Sequence, residues 1–169
     1  MMFFDLETQG LSGMTNKIVS IGTKMGNNAP VFFFGNEEAA LKGFVDYIDR
    51  NTIDTMCGFN VHQFDIPFLK TRLLVNDKVD SSRLVGLRYI DLRLQVNPLF
   101  SGRGKLSEFS EISGYEYKYK DLDGSSVPKM AEAGDWVGIN NHLNDDLYGT
   151  EKLYRRLKAM GTRFKVYDF

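Results

Sequence analysis

The sequence is short of several things that would identify other kinds of protein. It has one cysteine, Cys57, and two histidines, His62 and His142. A single cysteine excludes a disulfide framework and a cysteine-rich zinc site. Its neighbours Met56 and Gly58 mark Cys57 as a buried thiol, not a nucleophile. No apolar run approaches the ~20 residues of a membrane span. No charge of one sign dominates: 21 Lys and Arg face 22 Asp and Glu, for a formal charge of -1. A protein built to coat duplex nucleic acid carries a basic excess. Internal repeats, low-complexity stretches and linkers are absent too, so the expectation is a single domain over residues 1–169. The chain starts without a basic segment leading into an apolar one, and a cytoplasmic protein is expected.

What is present is concentrated at the start. In FFDLET, Phe3 and Phe4 lead into Asp5, Leu6 and Glu7. An extended chain alternates its side chains between two faces, so Asp5 and Glu7 share one and Leu6 takes the other. Two carboxylates that close repel, and a cation between them resolves the conflict.

Further along, Lys17 to Thr23 (KIVSIGT) and Val31 to Phe34 read as strands, joined to the first as an antiparallel meander. Asn36 is placed to cap a helix carrying Leu41, Phe44, Val45 and Ile48 at helical spacing and ending near Arg50. Ile53 to Phe59 is a fourth, buried strand. A second helix runs from about Asp65 to Leu74, with Pro67 in its first turn. Arg88 to Leu92 is a fifth strand. Short helical segments are expected at Lys105 to Ile112 and Pro128 to Ala133. A long helix spans about Ile139 to Met160, interrupted by Gly149, with Gly161 as its stop. The tail RFKVYDF suits a final strand or a docking segment. The expected fold is α/β, a mixed five-stranded sheet flanked by helices.

Three stretches carry the chemistry: Asp5-x-Glu7; GFNVHQFDIPFL, with Asn60 at a strand end and Asp65 opening a helix; and HLNDDLYGTEKLY, with His142 and Asp146 four apart on one helical face. Four carboxylates with no thiol partner suit a hard cation, Mg²⁺ or Mn²⁺. Taken alone, each has a plainer reading. Asp65 suits a helix cap, Asp145 the solvated face of a helix, and His62 an incidental loop residue.

Together, and in this order, the stretches resemble the three motifs of the DEDD superfamily of 3′–5′ exonucleases, which have a ribonuclease H-like fold. The second is most similar to the exonuclease domain of family B DNA polymerases. The resemblance spans Phe3 to about Leu157. It implies two divalent ions, with Asp5 bridging both, Glu7 and Asp146 completing the first site, and Asp65 serving the second. It further implies a nucleic-acid substrate, DNA favoured and RNA possible, work beside replication or repair proteins, and no membrane. Asn60 would hold the substrate or the second stretch, with Phe64 beside it.

One position departs from the pattern. The superfamily has Tyr four residues before the last Asp or His five before it, whereas here His142 stands four before Asp146. His142 is read as taking the Tyr position, where a neutral imidazole orients or deprotonates the attacking water. Lys105, in Gly102-Arg103-Gly104-Lys105, is placed to touch a phosphate. Tyr115, Tyr117 and Tyr119, interleaved with Lys118 and Lys120, suit either base stacking or an amphipathic strand with a packed Tyr face. Two other function classes stay open: a non-catalytic nucleic-acid-binding module of the same fold, and a phosphodiesterase for small nucleotides.

Overall fold

The computed structural model describes residues 1–96, 104–119, 122 and 124–169. Gly102, Arg103 and Lys120 lie outside the described residues. Six strands form one sheet: β1 (Met2–Thr8), β2 (Ile18–Lys24), β3 (Val31–Phe34), β4 (Thr55–Gly58), β5 (Arg88–Asp91) and β6 (Tyr167–Asp168). Their order is β3-β2-β1-β4-β5-β6. The first three form the antiparallel meander read from the sequence. Strands β1, β4 and β5 run parallel, and β6 pairs antiparallel with β5. The sheet therefore has six strands, not five. The sixth is only two residues long, too short to show alternation, and it comes from the tail that the sequence left between strand and docking segment.

The pleat of β1 sets the two layers. Met2, Phe4 and Leu6 enter one core with Leu41, Phe44, Val45 and Ile48 of α1 (Glu37–Arg50) and with Ile66, Phe68, Leu69 and Leu73 of α2 (Asp65–Val75). Phe3 faces the other way. It packs with Cys57, Ile90, Phe109, Leu147, Leu153 and Leu157, and so against α4 (Leu106–Ile112) and α6 (Trp136–Ala159). Asp5 and Glu7 share the Phe3 side, so they point under α6. A 3-10 turn at Ser81–Leu84, α3 (Leu92–Val96) and α5 (Val127–Glu132) complete the described elements. The 3-10 turn and α3 were not expected.

Local chemistry explains the helix starts. Asn36 caps α1, its side chain accepting from the Ala39 N–H at 3.0 Å. Helix α6 begins at Trp136, three residues before the expected Ile139, because Asp135 caps it by accepting from Gly138 N–H at 2.9 Å. Behind the β1–β2 turn, Glu37 and Arg72 form a buried pair, with N–O distances of 2.8 and 2.7 Å. Glu37 also accepts from Ile18 N–H at 2.7 Å, and Arg72 donates to Gly13 O at 2.9 Å. This pair, satisfied at both ends, ties α1, α2 and the start of β2 together.

Two features bring α6 down onto β1. Asp5 pairs in register with Gly22 of β2. A Cβ on Gly22 would sit 3.0 Å from Leu147 and 3.3 Å from Leu143, so the glycine lets the helix approach. One turn further on, Lys24 and Glu151 form a buried ion pair at 2.6 Å, with Arg155 on the same carboxylate.

Candidate active site

β1 and β4 pair only at Met2–Met56 and Phe3–Cys57, so the strands part beyond Phe3. The Leu6 N–H on that side has no strand to bond. Asp65 takes it, accepting at 3.0 Å through Oδ1. Asp65 is therefore buried against β1 and does not cap α2; Phe64 stands at the cap position and makes no side-chain cap bond. The chain reverses between β4 and α2 through Asn60, whose φ of 67° lies in the left-handed region that Asn tolerates better than most residues.

Helix α6 supplies the remaining groups. His142 and Asp146, one turn apart, face Glu7. The His142 Nδ1 lies 3.2 Å from Asp146 Oδ2, and its Nε2 lies 3.7 Å from Glu7 Oε1. Ligand atoms of Glu7, His142 and Asp146 all fall within 4.8 Å of one another. Side-chain exposures of 8% for Glu7, 12% for His142 and 16% for Asp146 keep them largely out of bulk water. Asp5 and Asp65 adjoin this group.

The electrostatics follow from burial. Burial raises the Asp5 carboxyl well above the usual range, and the charges of Asp65, Asp146 and Glu7 add to it. Glu7 is raised in the same way, by burial and then by Asp146 and Asp65. Asp65 is pushed up to about 7 by burial, against the Leu6 N–H bond that favours its anion. Asp146 is raised by burial, while His142 and the Tyr117 hydroxyl pull it back. Among the described residues no lysine or arginine pairs with these four carboxylates. Buried like charges without a counter-cation are unfavourable unless protonated or bound to metal. Oxygen donors with one imidazole fit a hard divalent cation.

The structure thus brings together Asp5, Glu7, Asp65, His142 and Asp146. Lys105 is exposed and lines a groove of about 380 Å³ with Tyr117, His142 and Asp146. The other two expected binding residues make contacts within the protein. Asn60 Oδ1 accepts from Arg93 at 3.0 Å, and the Asn60 N–H donates to Asp91 at 2.9 Å, so Asn60 holds the second stretch against β5. Phe64 packs on Phe68 and the core below it. His62 points away from the acids, with Nδ1 2.7 Å from the Tyr89 hydroxyl. Cys57 is buried as expected, and burial pushes its thiol up.

Asp91 went unread in the sequence, and Asp145 was read differently. Asp91 is buried at the end of β5 and accepts from Asn60, His62 and Arg93 N–H groups. An acid closing the short strand RYID was its only signal. Asp145 is not on a solvated helix face; it is 1% exposed. Its carboxylate accepts from the Tyr115 hydroxyl at 2.7 Å and from the Lys118 and Tyr119 N–H groups at 2.8 and 2.9 Å. Its neighbour Asp146 receives the Tyr117 hydroxyl at 2.8 Å. Tyr115 and Tyr117 therefore turn inward onto α6 from a loop. Described residues 115–119 form no strand, and only Tyr119 of the three tyrosines is exposed. Asp145→Asn should lower stability by about 1–2 kcal/mol, since charge-assisted bonds are replaced by weaker ones. A thermal melt should then show a loss of about 3–6 °C.

Comparison with known proteins places this geometry. The family model of the RNase_H superfamily matches residues 2–158. The chain belongs to the RNase_H superfamily. A relative in Methanocaldococcus jannaschii, the uncharacterized protein MJ0365, is 30% identical over 171 residues, covering 93% of this chain and 94% of the relative. Among solved structures, the family B DNA polymerase from the hyperthermophilic archaeon Pyrobaculum calidifontis superposes with a TM-score of 0.78 at 19% identity. That match covers 93% of this chain and 24% of the polymerase, so this RNase_H superfamily member spans about a quarter of that enzyme's length. The match shows a shared α/β fold. Among the described residues no helix is long and apolar enough to cross a membrane.

Proposed function

We propose that this protein is a metal-dependent 3′–5′ exonuclease that releases nucleoside monophosphates from the ends of nucleic acid, with single-stranded DNA as the favoured substrate. The observation that carries the reading is the convergence of Glu7, His142 and Asp146 within 4.8 Å, with Asp5 and Asp65 beside them. RNase_H superfamily membership supports nuclease-type chemistry at such an acidic cluster.

In this reading Asp5, Glu7, Asp65 and Asp146 hold two ions, Mg²⁺ or Mn²⁺. Such ions, when bound, supply the Lewis acidity that stabilises both the attacking and leaving oxygens of an in-line displacement. The remaining work falls to the chain itself. His142 sits within reach of the cluster from one side and holds or takes the proton of the attacking water. Lys105 stands along the adjoining groove and contacts a substrate phosphate, a contact that carries no sequence information. Polarity and the preference for DNA rest on the motif resemblance to family B polymerase exonuclease domains. A cytoplasmic location, one exonuclease domain over residues 1–169 and work beside replication or repair proteins belong to the same reading.

The test is degradation of 5′-labelled single-stranded DNA and RNA with Mg²⁺ or Mn²⁺. The expected result is a ladder shrinking from the 3′ end, absent with EDTA, and faster on DNA. Internal cuts, or intact polymer beside hydrolysed dinucleotides, would replace the exonuclease with another phosphodiesterase.

A further inference from the structure

Helix α6 runs unbroken through Gly149, which was expected to interrupt it, and the glycine has a use. Gly149 lies three residues after Asp146, one turn further along the same helical face. Its φ is not in the left-handed region, so conformational freedom does not explain it. Glycine is otherwise among the least favourable residues inside a helix. Space is the reason: a Cβ at position 149 would lie 2.9 Å from the Tyr117 hydroxyl and 2.5 Å from Ser110 Oγ. The missing side chain admits the phenol to the helix surface, where it donates to Asp146 Oδ1. The other carboxylate oxygen, Oδ2, faces His142 Nδ1 at 3.2 Å. The backbone of the two residues after Tyr117 is clamped by Asp145. Consecutive acids of α6 thus divide the labour. Asp145 fixes the loop, and the loop returns a tyrosine to Asp146.

We propose that Tyr117 is a positioning residue of the site, its hydroxyl setting the rotation of the Asp146 carboxylate for a divalent cation, with Gly149 as the notch that admits it. The proposal rests on the reading that Asp146 is a metal ligand. It also meets the departure in the third motif. The helix position that holds Tyr in one class of the superfamily holds His142 here, and a tyrosine hydroxyl reaches Asp146 from a loop.

Tyr117→Phe keeps the ring and removes only the hydroxyl. Its Mn²⁺ affinity, read by titrating the EPR signal of the free ion, should fall by about 10- to 100-fold. Its kcat on single-stranded DNA should fall comparably with KM within about two-fold, the pattern of a group that aligns the reacting centre and not of one that binds substrate. Gly149→Ala should lower both in the same direction although alanine favours the helix, since its Cβ would press on the Tyr117 hydroxyl as well as on Ser110 Oγ. Wild-type Mn²⁺ affinity and kcat in Tyr117→Phe would overturn the proposal while leaving the nuclease reading intact, as would a change confined to KM. Failure of the wild-type protein to bind Mn²⁺ would overturn both. If Gly149→Ala does not fold, Tyr117→Phe decides alone.

Discussion

Replacing Asp5 by asparagine should abolish divalent-dependent hydrolysis and at the same time make the metal-free protein harder to melt. Asp5 is the carboxylate with the most acidic neighbours: burial and then Asp65, Asp146 and Glu7 all disfavour its charge. An amide of the same shape removes one of those charges and keeps the backbone geometry of β1. Removing a like charge from a buried cluster relieves repulsion, so a gain of roughly 1–2 kcal/mol is expected, seen as about 3–6 °C in a melt. The same change takes a ligand from the proposed metal site. If that ligand contributes several kcal/mol to transition-state stabilisation, the rate on single-stranded DNA falls about a thousand-fold or more. Opposite signs for stability and activity are the mark of a functional site that the fold tolerates at a cost. A variant that loses both together would make Asp5 a structural residue. One that keeps activity would remove it from the proposed catalytic set.

That conflict between charge and burial was legible in the sequence because β1 is simple. Met2, Phe4 and Leu6 alternate with Phe3, Asp5 and Glu7, so the period-two pattern places both acids on one face without further information. Helix α1 was legible for the same kind of reason, with its cap, acidic first turn and apolar stripe all agreeing. Asp145 and Tyr117 were not. Their roles depend on a loop at residues 115–119 folding back over α6, a tertiary contact some 30 positions away that has no periodicity to reveal it. Neighbouring acids on a helix read as solvated because nothing local distinguishes Asp145 from a surface residue. Asn60 was singled out for its place in a motif. Its left-handed φ and its bond to Arg93 appear only when β5 is set beside β4. Gly149 read as a defect in a helix until its missing Cβ was placed against a tyrosine.

The second large effect is on stability across pH, and it separates the metal-free from the metal-loaded protein. Asp65 is held up to about 7 in the folded chain, and Asp5 and Glu7 are raised as well. In the unfolded chain these carboxyls titrate near their ordinary values of about 4. Below pH ~4 both states carry the protons and the cluster costs nothing. Between pH ~4 and ~7 the folded state binds more protons than the unfolded one, so stability falls as pH rises. One such group shifted by about three units sets a ceiling of roughly 4 kcal/mol, and a measured loss of about 2–4 kcal/mol in EDTA is expected. The lowered Glu37 and Glu151 act in the opposite direction, contributing stability above pH ~4 that is lost in acid, so the metal-free optimum should fall in the mildly acidic range. A divalent cation reverses the slope at the cluster. It needs the anions, so it binds more tightly as pH rises. At about 100 times its dissociation constant it adds roughly 2.7 kcal/mol. Melting curves at pH 5 and pH 8, each with EDTA and with Mn²⁺, should therefore show a gain from Mn²⁺ that is small at pH 5 and large at pH 8. An equal gain at both values, or none at pH 8, would mean that the four carboxylates do not act together as a cation site.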